Sequence, residues 1–408
     1  MYASLNKAHH RWLAIVLAVF VLYTIGRFGI DQIRPPGLIP NDYMNFHHAS
    51  DRLAAHEQIY QAGDASPFKY SPTFLLFFRY TFDLLPRTVA WAVWCTISIA
   101  GFAWATYWLW LAAGLTYRLP RRVFLALVVA AGICGWHGYI EHFSYGQGDM
   151  ILYALFIAAV AATPKLSGDL LSGALMSLLL IAKPQAGILL AYFLVCRRWR
   201  MLAATGAGTF ALLLAPALGW GFARQIQLFG EWWVVLSQQS TEFLTGNLNQ
   251  SVAATAARWL GNRALVGCLT TLAVASGALA AVVLTLAWPR AAFAAPRNHA
   301  RMTLTTLLMY AVVSPLSWRW FTFLWLPAGV ALAVDALAVR PRPRLQLALL
   351  VAFALTGTLL QTFVAHALGI AEVDDLSRLG FYTLGNCLLF TTACLSLHAH
   401  RNENDVSS

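Results

Sequence analysis

A series of apolar segments recurs along almost the whole chain and constrains its fold more than any other feature. A membrane-spanning helix needs about 20 mostly apolar residues, and shorter ones are tolerated inside a bundle. The candidate segments are 11–30, 88–114, 122–138, 149–163, 168–182, 185–196, 201–219, 264–288, 302–316, 319–338, 345–364 and 379–397. The stretch 70–86 is interrupted by Arg79 and Asp83, and we expect it to lie in the interface instead. The sequence therefore predicts an all-α polytopic membrane protein with about twelve spanning helices.

Composition agrees with this class and argues against others. Hydrophobic residues make up 59% of the 408 residues and charged residues 11%, whereas charged residues are about a quarter of a soluble protein. The net charge of +11 does not indicate a nucleic-acid partner, because no basic run alternates with exposed aromatic residues. The six cysteines lack a Cys-x-x-Cys spacing, so neither a disulfide framework nor a zinc site is indicated. We expect membrane lipids as partners, and the sequence requires no metal or other cofactor.

Charged residues divide between two sets of loops. The basic set holds Lys7, Arg11, Arg118, Arg121, Arg122, Lys165, Arg197, Arg198, Arg200, Arg290, Arg297, Arg301, Arg340, Arg342, Arg344 and Arg401, with the acids Asp169, Asp335, Glu403 and Asp405. The other set holds the acids Asp31, Asp42, Asp51, Glu57, Asp64, Glu141, Asp149, Glu231, Glu242, Glu372, Asp374 and Asp375. Since basic loops tend to stay in the cytoplasm, both termini, including the tail 398–408, are predicted to be cytoplasmic.

The long polar loops are then predicted to face outward: 31–87, 139–148, 220–263 and 365–378. No soluble domain is recognisable between the apolar segments, so residues 1–408 are interpreted as one integral membrane domain. The clusters of polar residues that could support chemistry all fall on the outward side of this topology.

The loop 31–87 carries the first of these clusters. Apolar side chains at helical spacing from Tyr43 onward predict an amphipathic helix that lies on the membrane. The adjacent His47 and His48 are expected on its polar face, toward the interface. Asp42 would stand at or near the N-cap, a position that Asp favours without any chemistry. Helix capping and general-base catalysis therefore both stay open for Asp42.

A second cluster, Tyr145-Gly146-Gln147-Gly148-Asp149, lies at the predicted outer start of a helix. Its glycines permit close approach of the backbone to a ligand, and Gln147 and Asp149 offer hydrogen bonds to a polyol. The alternative is a plain loop-to-helix turn with Asp149 as its cap.

A third cluster, Ala182-Lys183-Pro184-Gln185, divides the apolar stretch 168–196 into two predicted short helices. A lysine at a broken helix at membrane depth is costly unless it meets an anion or a water-filled cavity. Lys183 therefore either extends toward the interface or binds an anion such as a phosphate.

Two further motifs complete the outward set. The amide groups of Asn249 and Gln250, within Gly246-Asn247-Leu248-Asn249-Gln250-Ser251, suit a sugar and a backbone turn equally well. In Ser314-Pro315-Leu316-Ser317-Trp318-Arg319-Trp320, the arginine between two tryptophans is either an interfacial anchor or a bidentate phosphate ligand.

These motifs, in this order, resemble those of glycosyltransferase family 87, a group of enzymes with the GT-C fold. The motifs that carry the resemblance are Asp42-Tyr43-x-x-Phe46-x-x-Ala49, Tyr70-Ser71-Pro72, Gly146-Gln147, Lys183-Pro184-Gln185, Asn249-Gln250-Ser251 and Ser314-Pro315-x-Ser317-Trp318. Each motif is short, so the specificity of the resemblance lies in the ordered set, which runs over residues 12–335.

The resemblance implies a GT-C type bundle with extracytoplasmic juxtamembrane helices, in the bacterial cytoplasmic membrane. It implies a polyprenyl-phosphate sugar donor, commonly of mannose, and transfer with inversion on the extracytoplasmic side to an envelope glycolipid or glycan. Asp42 is then expected to act as general base, while Lys183 and Arg319 bind the donor phosphate. Residues expected to bind sugar or acceptor hydroxyl groups are Gln147, Asp149, Asn249, Gln250, Ser317 and Tyr70.

The chain departs from the family pattern at three places. Arg319-Trp320 stand where family members often carry a histidine, and Gly148-Asp149 stand where x-Asn commonly follows Gly-Gln. His56-Glu57-Gln58 replace the glycine that is usual before Tyr60. These departures bear on sugar identity and on whether activity is retained.

Two other functions compete with the enzyme hypothesis: a lipid or solute transporter or flippase, and a noncatalytic GT-C-like membrane protein. A transporter is expected to carry charges deep in several helices and repeated halves, and the sequence shows neither pattern clearly. The enzyme hypothesis requires Asp42, Lys183 and Arg319 to surround one outward cavity.

Overall fold

The computed structural model describes residues 41–61, 64, 67–115, 118–163, 168–237, 245–262, 265–287, 296–338 and 379–406. The predicted spans 11–30 and 345–364 lie outside these residues. Within the described ranges all regular secondary structure is helical, apart from one isolated antiparallel bridge between Asn249 and Trp318. The predicted all-α class is therefore confirmed for this part of the chain.

The α-helices of the first half are α1 Asn41–Ala54, α2 Pro72–Arg79, α3 Arg87–Ala112, α4 Arg121–Cys134, α5 Trp136–Ser144, α6 Asp149–Ala162, α7 Gly168–Ala182 and α8 Leu190–Val195. Those of the second half are α9 Trp199–Leu214, α10 Ala217–Trp220, α11 Phe222–Ser237, α12 Val252–Trp259, α13 Val266–Ala287, α14 Pro296–Val313, α15 Trp325–Ala338 and α16 Phe381–Val406. Short 3₁₀ helices cover Phe82–Leu84, Pro184–Leu189 and Arg319–Leu324.

Several of these helices are apolar enough to cross a bilayer, which agrees with a membrane protein. By length and composition, three described helices qualify: Arg87–Ala112, Trp199–Trp220 and Arg319–Leu337. A fourth span results if the pair Gly138–Ser144 and Asp149–Ala162, bent by 110°, is counted as one. The predicted number of about twelve spans is therefore not confirmed.

Helix α1 has the apolar face that the sequence predicts. Tyr43, Phe46 and Ala49 are buried along it. The Phe46 ring centroid lies 5.2 Å from that of Phe78 in α2 and 5.7 Å from that of Trp94 in α3. The helix is therefore confirmed, but its apolar face packs against the protein core rather than against the membrane surface.

His47 does not face the interface, so that expectation is wrong. Its side chain is 1% exposed, and its Nδ1 lies 2.6 Å from Asp83 Oδ1. The other oxygen of Asp83 accepts a hydrogen bond from Ser50 Oγ at 2.5 Å. The Asp83 carboxylate thus provides a hydrogen-bond partner for the buried Nδ1 of His47, and it connects α1 to the segment that follows α2.

Helix α2 begins as its sequence predicts, because Pro72 occupies its first turn and Ser71 caps it by accepting a hydrogen bond from the Phe74 N–H at 3.2 Å. Its eight residues rise by only about 12 Å. This is well below the thickness of the hydrocarbon core, so α2 alone does not span it, as expected for the stretch 70–86.

The predicted break at Lys183 is present. Helix α7 ends at Ala182, and Lys183 has extended backbone angles (φ −137°, ψ 96°) before Pro184 starts a 3₁₀ helix. Proline disfavours a helical conformation in the residue before it. The break therefore follows from local backbone sterics, and it leaves the Lys183 side chain at the junction of two short helices.

A buried cluster of charges joins three parts of the bundle. Asp335 of α15 accepts hydrogen bonds from Arg118, before α4, at 2.5 Å and from Arg301 of α14 at 2.8 and 3.0 Å. Asp335 is 5% exposed and Arg301 is 7% exposed. A buried charge that loses its partner is strongly destabilising, so this carboxylate is expected to be essential to the packing of α14 and α15.

Replacing Asp335 by Ala should lower the free energy of unfolding by about 3 kcal/mol or more, because Arg301 loses its buried carboxylate. Asp51 provides the matched control, since its ion pair with Arg87 is exposed on both sides, at 59% and 53%. D51A should cost less than about 1 kcal/mol. Both free energies of unfolding are measured in detergent. Equal decreases in D335A and D51A would contradict an essential role of Asp335 in helix packing.

Candidate active site

Polar side chains from four segments, distant in sequence, line one cavity of about 280 Å³. Helix α1 supplies Asp42, the loop before α2 supplies Lys69, the turn between α5 and α6 supplies Gln147, and the break after α7 supplies Lys183. Two of the three residues that the enzyme hypothesis requires around one cavity, Asp42 and Lys183, are therefore brought together.

Gln147 connects the carboxylate of Asp42 to the ammonium group of Lys183. Its Nε2 donates a hydrogen bond to Asp42 Oδ2 at 2.7 Å, and its Oε1 accepts one from Lys183 Nζ at 3.4 Å. A carboxylate accepts and an ammonium group donates, so only one orientation of the amide serves both neighbours. The side chain of Gln147 thereby fixes the direction of the Asp42 carboxylate.

Lys183 also forms a direct ion pair with Asp149, at 2.8 Å. The second oxygen of Asp149 accepts a hydrogen bond from Trp320 Nε1 at 3.0 Å. Lys183 is 7% exposed and Asp149 4%, and buried charges of this kind persist when they are paired and hydrogen-bonded. Asp149 therefore holds Lys183 in place, and it does not line the cavity itself.

The turn between α5 and α6 presents Gln147 and Asp149 to their partners. Gly146 has φ +70°, a left-handed conformation that glycine adopts without strain. A Cβ on Gly148 would meet the Trp94 ring at 3.0 Å, and Trp94 Nε1 donates to the Gln147 carbonyl at 3.3 Å. Gly146 therefore provides the left-handed turn, and Gly148 lets the Trp94 ring approach the backbone closely.

Lys69 also lines the cavity, although it was not predicted to be a site residue. It is half-buried, and burial lowers the pKa of Lys69 to about 8, while the Asp42 carboxylate acts against this shift. A signal was present in the sequence, because the chain contains only four lysines and this one lies in an acid-rich loop that is predicted to face outward.

One wall of the cavity is aromatic. Trp318 and Trp320 stack with ring centroids 4.9 Å apart, and Tyr145 lies 5.2 Å from Trp320. Tyr70, a predicted substrate ligand, also lines the cavity, and its ring stacks on Phe74 at 4.7 Å. Apolar walls with a few polar groups are typical of small-molecule sites, and this wall suits a sugar ring or an isoprenoid chain.

Arg319 does not line this cavity. It is 6% exposed, and its Nε lies 2.8 and 2.9 Å from the two carboxylate oxygens of Glu141 in α5, with a further bond from Nη2 to Glu141. To reach a phosphate in the cavity, Arg319 would have to leave a buried carboxylate, which is costly. The geometry gives Arg319 a structural role, and phosphate binding by it stays a prediction.

Asn249 is fully buried and serves the backbone. Its Oδ1 accepts hydrogen bonds from the Ser251 N–H at 3.1 Å and the Ser317 N–H at 3.2 Å, and its Nδ2 donates to the Pro315 carbonyl at 3.0 Å. This side chain therefore joins the amide-rich loop to the segment that carries Trp318.

Gln250 and Ser317 are equally buried and likewise bond within the fold. Gln250 donates to the Asn247 carbonyl at 2.5 Å and accepts from Thr383 Oγ1 at 3.2 Å, while Ser317 Oγ donates to the Ala311 carbonyl. Neither residue lines the cavity, and contacts of Gln250 and Ser317 with sugar or acceptor stay a prediction.

The cavity combines a carboxylate that can accept a proton with ammonium groups that can stabilise an anion. Among the residues that the structure describes, no group of three or more His, Cys, Asp or Glu is placed to hold a metal ion. The arrangement suits a transfer in which a hydroxyl group loses its proton while an anionic group departs.

The sequence profile of glycosyltransferase family 87 matches residues 68–316, more than half of the chain. The matched range contains Lys69, Gln147, Asp149 and Lys183, while Asp42 precedes it and Trp318 follows it. No curated protein and no solved structure matches the chain.

Replacing Arg319 by Gln tests its structural role. R319Q should lower the free energy of unfolding by about 3–5 kcal/mol, because the buried Glu141 loses its cation. The double variant E141Q/R319Q should regain part of that loss, since no buried charge is left without its partner. If R319Q unfolds like the wild type in detergent but loses activity, Arg319 binds substrate instead.

Proposed function

The chain belongs to glycosyltransferase family 87, and on this premise we propose that it transfers a sugar from a polyprenyl-phosphate donor to a hydroxyl group of an envelope glycolipid or glycan. Mannose is the first candidate for the sugar. The observation that carries the proposal is the chain of contacts Asp42–Gln147–Lys183, which holds a base and a cation at one cavity.

The proposed reaction is a single displacement. The acceptor oxygen attacks the anomeric carbon of the donor, and Asp42 accepts the proton of the acceptor hydroxyl group. The bond between the anomeric carbon and the phosphate oxygen breaks at the same time, and the electron pair leaves with polyprenyl phosphate. Attack from the face opposite the leaving group inverts the anomeric configuration.

Lys183 is proposed to stabilise the departing phosphate. Negative charge grows on the phosphate as its bond to the sugar breaks, and fixed cations in a site shielded from water act most strongly on such developing charge. Asp149 and Trp320 keep the ammonium group in position before substrate binds. Gln147 does the same for Asp42, so the attacking oxygen and the leaving oxygen would both meet preorganised groups.

The remaining predicted ligands divide into two groups. Tyr70 and Gln147 line the cavity and are proposed to contact sugar or acceptor hydroxyl groups directly. The others, Asp149, Asn249, Gln250 and Ser317, are proposed to act by holding the surrounding loops, since their side chains bond to protein groups.

The orientation in the membrane is proposed from charge. Every ion pair that the structure describes joins residues that the basic-loop pattern assigns to the same side. Arg118 and Arg301 meet Asp335 on the predicted cytoplasmic side, whereas Lys183 meets Asp149 on the opposite one. This sorting supports an extracytoplasmic site in the cytoplasmic membrane, with cytoplasmic termini.

The first test replaces the proposed base. D42N in membranes supplied with a labelled polyprenyl-phosphate sugar should reduce transfer by about 10²-fold or more, because an amide cannot accept the proton. The matched control is D51N, an exposed acid of the same helix, which should transfer at the wild-type rate. Undiminished transfer by D42N would remove Asp42 as the base.

The second test addresses the positioning of Asp42. Q147L keeps the approximate shape of the side chain but removes both of its hydrogen bonds, and kcat should fall by about tenfold or more. In the double variant D42N/Q147L the second change should add little, because residues that act as a unit are not additive. If the factor by which kcat falls in the double variant equals the product of the factors in the two single variants, Gln147 does not act through Asp42.

A further inference from the structure

Two of the four lysines in the chain, Lys69 and Lys183, line the same cavity. Lys183 is already paired with Asp149 at 2.8 Å, so much of its charge is compensated within the protein. A phosphate that leaves a sugar carries between one and two negative charges. The cavity therefore gains from a second cation when that charge develops.

The backbone around Lys69 is held in place from both sides. Trp232 Nε1 of α11 donates to the Lys69 carbonyl at 2.9 Å, and Tyr60 Oη donates to the Tyr70 carbonyl at 2.8 Å. Ser71 Oγ donates to the carbonyl of Ile181 at 2.6 Å, two residues before Lys183. This last contact ties the Lys69 loop to the break that carries Lys183.

We infer that Lys69 is a donor-binding residue that, together with Lys183, contacts the phosphate of the lipid-linked sugar. This inference rests on the proposed function and names a cation that no sequence motif selected. It assigns the phosphate to the space between the two lysines, on the polar side of the aromatic wall. Arg319, paired with Glu141, is not needed there.

The ionisation of Lys69 then controls donor affinity. Among the described residues, the charged groups that share this cavity with Lys69 are Asp42 from α1 and Lys183 from the end of α7. Asp149 is paired with Lys183, Tyr70 is the titratable neighbour of Lys69 in the chain, and Glu231 precedes Trp232 in α11. Because burial lowers the pKa of Lys69 to about 8, its positive charge is present below that pH and is lost above it. Phosphate affinity should fall over the same range.

The probe for this inference is citronellyl methyl phosphate, a short prenyl phosphodiester whose single charge does not change near neutral pH. The purified full chain in lipid nanodiscs should bind it with a Kd that rises about tenfold between about pH 7 and pH 9, as one lysine loses its proton. K69R should show no such rise, because a guanidinium stays charged. K69Q should bind about tenfold more weakly at pH 7, with no pH dependence.

Controls separate this inference from the proposed function. R200Q removes an exposed cation of α9 and should bind like the wild type, and unfolding in detergent checks that K69Q and K183Q are folded. If K69Q binds like the wild type while K183Q is weakened, Lys69 is not a donor ligand and the proposed donor class stands. If the wild type binds citronellol as tightly as the phosphodiester, and neither lysine variant changes this, the phosphate donor fails as well.

Discussion

The ion pair between Lys183 and Asp149 is the interaction on which the candidate site depends. It joins the end of α7 to the start of α6 at a point where both charges are almost fully buried. Neither charge would be stable there alone, since removing one partner of such a pair costs about 3–5 kcal/mol. Through Gln147 the same pair reaches Asp42, and through Trp320 it reaches the segment before α15.

The surrounding fold holds this arrangement by two kinds of contact. Aromatic packing fixes α1, because Tyr43 and Phe46 lie among the rings of Phe78, Trp91 and Trp94. This packing fixes the position of α1, and with it the position of the Asp42 carboxylate relative to Gln147. On the opposite side, hydrogen bonds of buried amides hold the loops of Asn249 and Gln250 against the segment that carries Trp318. Ring contacts and buried hydrogen bonds thus hold the elements that present the polar groups of the cavity.

Features governed by local chemistry could be predicted from the sequence. The break at Lys183 follows from the proline after it, and the helix that starts at Asn41 follows from the spacing of its apolar residues. The number of membrane-spanning helices could not be predicted from the sequence in the same way. An apolar segment of sufficient length does not always form one straight helix. The axes of α5 and α6 are bent by 110° where the chain turns at Gly146.

Partners distant in the sequence could not be predicted either. A motif indicates which groups a residue can bind, but it does not name the partner: Arg319 meets Glu141, 178 positions away. The amide of Asn249 suited a sugar and a backbone turn equally well by sequence, and the fold shows that it bonds to backbone groups. Lys69 carried no motif of its own, and only the fold places it beside Asp42 and Lys183.

The most direct test is a cryo-EM structure of the full chain in nanodiscs with polyprenyl phosphate bound. The phosphate should lie between Lys69 and Lys183, within about 3 Å of an ammonium nitrogen, with Asp42 facing the space for the sugar. A phosphate bound outside this cavity, or one held by Arg319 after it has left Glu141, would contradict donor binding by the two lysines.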